Sequence, residues 1–118
     1  MPKINLWIET KSAKELNKQQ LIGFKDENII SYYEANFLIN IVIEKTKIIL
    51  TKQNNEYKIT INLAKDNSYG VYEDLQTGQG LKMRVSEEIV DLSNNQIYLK
   101  YIVENLNTVE YLVQYEVE

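Results

Sequence analysis

Apolar residues in this chain recur at every second position in one segment after another, and almost never at helical spacing. The run Tyr57-Lys58-Ile59-Thr60-Ile61-Asn62-Leu63-Ala64 sets Tyr, Ile, Ile and Leu on one parity against Lys, Thr, Asn and Ala on the other. Successive side chains of a β-strand point to opposite faces, so the pattern describes sheet with one dry side and one wet side. Phe37, Ile39, Ile41 and Ile43 repeat it, as do Leu81, Met83 and Val85 against Lys82, Arg84 and Ser86. Near the end, Val109, Tyr111, Val113, Tyr115 and Val117 all face one way.

Polar punctuation divides the chain into strands over 4–10, 19–25, 29–34, 36–44, 47–52, 57–64, 69–73, 81–86, a short paired stretch 87–92, then 96–103 and 108–117. Residues 11–18 are polar and lysine-rich and read as a loop or a single helical turn. Gly23 interrupts the second strand and suggests a bulge. Asn54-Asn55 suits a tight hairpin, because Asn tolerates positive φ. The last hairpin turns at Glu104-Asn105-Leu106-Asn107. An open sheet of this many hairpin-linked strands would expose two edges, and closing it removes them. A barrel this small either fills with side chains or holds one small ligand. The expected fold is all-β: a small antiparallel up-and-down barrel of about eight to ten strands, as a single domain over 1–118. A two-sheet β-sandwich is the alternative.

The chain has no His and no Cys, which removes Ser-His and Cys-His nucleophilic machinery and every His- or Cys-ligated metal. Oxygen ligands remain, but Asp66-Asn67-Ser68 and residues 91–95 lack an acidic cluster at EF-hand spacing and read as turns. No GK[ST] follows Gly78 and Gly80, so they form no phosphate loop. No metal and no cofactor is expected. Seventeen acids against 13 bases give a net charge of −4, mixed along the chain, which argues against a nucleic-acid partner. No stretch approaches the ~18 apolar residues of a membrane span, and residues 1–5 carry no signal-like run. With no cysteines to pair, a cytoplasmic location is expected.

Ile30-Ser31-Tyr32-Tyr33-Glu34 resembles a tyrosine–glutamate strand of the YwiB-like family, uncharacterised small bacterial proteins with a calycin-like, lipocalin-style β-barrel. Ile48-Ile49-Leu50-Thr51-Lys52 is similar to that family's strand ending in a basic residue. Leu75-Gln76-Thr77-Gly78-Gln79-Gly80-Leu81 resembles its Thr-x-x-Gly turn. Ile97-Tyr98-Leu99-Lys100-Tyr101 and Tyr111-Leu112-Val113-Gln114-Tyr115 resemble its last hairpin. Two positions depart: Leu75 stands where the family favours Tyr, and Lys52 where Arg is common. A lysine cannot grip a carboxylate bidentately as an arginine does. The resemblance implies the barrel and implies no activity.

The nine tyrosines carry the strongest remaining functional signal, because each joins a large apolar body to a polar tip. If the row holding Tyr101, Tyr111 and Tyr115 faces inward, the hydroxyls need partners there. Lys52 and Arg84, the sole arginine, supply charge for an acidic ligand. With Tyr32 and Glu34, the candidate ligand-binding set is Tyr32, Glu34, Lys52, Arg84, Tyr101, Tyr111 and Tyr115, and no catalytic residue is assigned. The bland alternative is that the tyrosines simply pair across strands. The leading function is a non-catalytic binding module for a small molecule or peptide. A second is a protein–protein interaction module using an edge strand or the outward row Trp7, Leu38, Val42 and Leu112, with monomer and homodimer both open. A third is an enzyme using Glu34 in acid–base chemistry.

Overall fold

The computed structural model describes residues 2–104 and 108–117. Ten strands follow one another: β1 (Lys3–Ser12), β2 (Glu15–Asp26), β3 (Ile29–Glu34), β4 (Phe37–Ile43), β5 (Lys47–Gln53), β6 (Tyr57–Ala64), β7 (Tyr69–Asp74), β8 (Gly80–Ser93), β9 (Gln96–Val103) and β10 (Thr108–Val117). Each pairs antiparallel with the next, and β1 pairs with β10 to close the barrel. The closing ladder runs from Ile4 opposite Val117 to Ser12 opposite Val109. That closure settles the architecture as an up-and-down barrel rather than a sandwich. The turn expected over 104–107 lies outside the described residues beyond Glu104.

The registers carry the two-residue period into the lumen. Ile4, Leu6 and Ile8 of β1, Ile39 and Ile41 of β4, Ile61 and Leu63 of β6, and Ile97 and Leu99 of β9 are all buried. Each such aliphatic side chain contributes roughly 1.5–3 kcal/mol of burial. The lower end of the barrel, where β1 begins, is filled by Ile4, Ile30, Ile41, Ile48, Leu63 and Ile97, none more than 2% exposed.

The structure departs from the sequence reading in four places. Residues expected to loop over 11–18 instead complete β1 and open β2, with Ala13 at the turn in the left-handed region (φ 54°). The stretches 81–86 and 87–92 form one strand, β8, and a register shift between Glu87 and Ile89 explains why their alternation breaks. Asn54 makes its turn with its side chain rather than with positive φ: Oδ1 accepts the amides of Glu56 at 2.8 Å and Tyr57 at 3.0 Å. Among the asparagines of the described residues, only Asn95 has positive φ.

Gly23 is the fourth departure. The β1–β2 ladder passes through it without a shift, so it is no bulge. It stands where β2 parts from β3, just beyond the last of the three pairs that join those strands. A Cβ there would collide with Cδ1 of Leu6 and lie 2.7 Å from the carbonyl oxygen of Ser31. The backbone of β3 can approach only because position 23 has no side chain. Gly23→Ala is therefore expected to cost roughly 1–3 kcal/mol in urea unfolding, as overpacked sites do. Gly80→Ala, whose Cβ would meet nothing nearer than 3.5 Å, serves as the near-neutral control.

Candidate functional site

The upper end of the barrel, where β1, β3, β5, β7 and β9 finish, is built differently from the lower. A cavity of about 240 Å³ opens there, walled by Ile39, Leu50, Ile59, Ile61 and Val109, with Thr10, Glu34, Lys52, Tyr101 and Tyr111 among its polar lining. The inward parity of seven different strands delivers these groups to one place. Lys52 lies opposite Ile39 and Ile59, Tyr101 opposite Val109, and Thr10 opposite Tyr111.

Tyr111 on β10 and Tyr32 on β3 reach each other across the lumen and share a hydrogen bond between hydroxyls, in which either can donate. Tyr32 belongs to the buried core and Tyr111 lines the cavity, so the pair marks the boundary between aliphatic packing and open space. Burial pushes the phenol of Tyr101 up to about 12 and that of Tyr111 higher still. Both hydroxyls are neutral at ordinary pH and able to donate as well as accept.

Glu34 is half-buried at the rim, where its Oε1 accepts a hydrogen bond from the Gln19 amide at 3.3 Å. Gln19 lies on the part of β2 that has separated from β3, so this contact bridges the seam with side chains after the backbone ladder has ended. The Lys52 ammonium sits 4.6 Å from the centroid of the Phe37 ring and, among the described residues, makes no ion pair. Phe37 is the first of three linked rings on the rim. Its centroid is 5.4 Å from that of Tyr57, which lies 5.6 Å from that of Tyr72.

Tyr32, Glu34, Lys52, Tyr101 and Tyr111 thus gather at one end of the lumen. Arg84 and Tyr115 do not join them. Arg84 is on the outer face of β8, its side chain 80% exposed, with Nε 3.7 Å from a carboxylate oxygen of Glu104. Tyr115 faces inward but at the lower end, opposite Leu6. The outward apolar row divides as well. Trp7 and Leu112 flank an outer furrow of about 370 Å³, while Leu38 and Val42 lie on β4, with β2 and β3 between. That furrow is larger than the cavity, yet it is a surface channel between β10, β1 and β2 with no inward-facing tyrosine.

Sequence reasoning passed over Thr10, Gln19, Phe37, Tyr57 and Tyr72. The available signal was inward parity at the strand ends that alternate hairpins bring to the same rim. Chemically, the cavity offers an apolar belly, neutral phenols, one cation and one anion. Among the described lining residues Glu34 is the one carboxylate, so hydrolysis needing two opposed carboxyls finds no second partner among them. Among the described residues no three acidic side chains converge as a metal site would require.

The tyrosines set a pH dependence. The fold favours the neutral phenol of Tyr101, and that contribution is fully present below the ordinary value of 10.0 and lost as pH rises through about 12. At 1.36 kcal/mol per unit, Tyr101 alone accounts for roughly 2–3 kcal/mol. Urea unfolding at neutral and at strongly alkaline pH, with phenolate absorbance recorded alongside, should show stability falling over that window. Tyr101→Phe should flatten the fall.

No family model matches the sequence, and no curated protein matches it. The fold is similar to a solved structure described as the crystal structure of ywiB protein from Bacillus subtilis, with a TM-score of 0.76 over 99% of this chain and 92% of that one. Sequence identity is 16%, so the likeness is one of fold: a YwiB-like barrel.

Proposed function

We propose that this barrel is a non-catalytic binding module whose ligand is a small molecule held in the upper cavity. The observation that carries this reading is the asymmetry of the lumen. Aliphatic side chains fill one end, while at the other an apolar pocket is left open with a few convergent polar groups, the arrangement typical of ligand sites. The fitting ligand is compact, since about 240 Å³ lies below the usual pocket range of roughly 300–1,000 Å³. It carries an anionic or acceptor group for Lys52 and the phenols, and a donor for Glu34. Its outer part meets the rings of Phe37, Tyr57 and Tyr72. A ligand seated in the lumen through one open end is also what a calycin-like reading of the barrel implies.

A native mass spectrum of freshly purified full-length protein tests this directly. The expected result is a non-covalent adduct on the wild type that is lost or sharply reduced in Lys52→Ala and in Tyr111→Phe, with both variants still folded by circular dichroism. An adduct that persists unchanged in both variants would place the ligand elsewhere. A wild type seen only at its bare mass, and not stabilised against heat by any of a panel of small aromatic and aliphatic acids, would contradict the proposal.

A further inference from the structure

The wall of the barrel is incomplete on one side. β2 is paired with β1 from Glu15 to Phe24, but with β3 only at Phe24, Lys25 and Asp26. Continuing that second register would set Leu21 opposite Glu34, where β3 ends, so Glu15 to Gln20 run on past the end of β3. Every second residue along this stretch turns its amide and carbonyl away from β1. Among the described residues no backbone group pairs with that side. A free edge of this length is a template for another strand.

The side chains show which strand fits. Leu16 lies on the outer face within this stretch, and Ile22 lies on the same face two residues past its end, where β2 has already parted from β3; they are 54% and 57% exposed. An antiparallel pair across a two-fold axis sets residues of the same face opposite each other. Centred on Gln19, that pairing brings Leu16 against Ile22 of the partner subunit, twice by symmetry, and Lys18 against a glutamine. Centred on Lys18 it would oppose two ammonium groups, which is unfavourable. Centred on Asn17 it would set Leu16 against a lysine and leave Ile22 uncovered. The edge is therefore self-complementary in one register.

We propose that the protein forms a two-fold dimer through the free edge of β2, centred on Gln19, with the sheet continuous from one copy to the next. Leu16 and Ile22 seal the outer face of the junction, and main-chain hydrogen bonds hold it.

Sedimentation velocity of the full chain over a concentration series tests the proposal. The wild type is expected to show a monomer–dimer equilibrium. Leu16→Lys and Ile22→Glu should each raise the dimer dissociation constant about tenfold or more, the shift that ~1.4 kcal/mol produces. Both side chains are exposed in the monomer, so circular dichroism should be unchanged. Combining the two changes sets lysine opposite glutamate in this register and should recover much of the lost association. A wild type that stays monomeric at the highest soluble concentration overturns the proposal. So does a dimer indifferent to either single change, and a double variant that associates no better than the singles overturns the register.

Discussion

The pairing of the first strand with the last is the interaction on which the rest depends. Nine residue pairs join β1 to β10, from Ile4 and Val117 to Ser12 and Val109. Without them the sheet would be an open ribbon with two long edges, and its inward row would have nothing to pack against. With them Leu6, Ile8 and Val113 become centre-of-barrel residues, no more than 4% exposed. The same closure brings Tyr111 of β10 within reach of Tyr32 of β3 across the lumen, although β1 and β2 separate the two strands in the wall.

The lumen then divides along its axis. Aliphatic residues dominate the lower end, where Tyr115 packs beside them. An unpaired buried polar group costs about 1–3 kcal/mol. Among the described residues no buried side-chain nitrogen or oxygen is left without a partner. The upper end can hold Tyr101, Tyr111, Glu34 and Lys52 because it opens to solvent and leaves them room. The seam between β2 and β3 is the counterpart of the closure: the place where the ladder stops early, the Gln19–Glu34 contact takes over, and an edge is left bare.

Much of this was legible in the amino-acid pattern, for a physical reason. A strand buried on one face must carry an apolar inward row, and Phe37–Ile43, Tyr57–Ala64 and Gln96–Val103 each place an apolar residue at every second position without a break. Two failures also have causes. The inward parity of β2 carries Glu15 and Asn17 here rather than apolar residues, because that part of β2 projects beyond the packed lumen, so a true strand looked like a loop. The alternation across 81–92 changes phase because of the irregularity at Glu87 and Ile89, so one strand looked like two. At the site, parity already put Arg84 on the outer face with Lys82; it attracted notice as the lone arginine rather than by its position. Which end of the lumen a tyrosine occupies depends on strand order and register, and so Tyr115 could not be told from Tyr111 before the barrel was assembled.

Site-resolved amide hydrogen exchange tests the closure most directly. If β1 and β10 are paired along Ile4–Ser12 and Val109–Val117, their ladder amides should exchange as slowly as those of β9, which is flanked on both sides by other strands. Exchange of the β1 and β10 amides at the rate of exposed turns, with the other eight strands still protected, would show an open sheet and contradict the account.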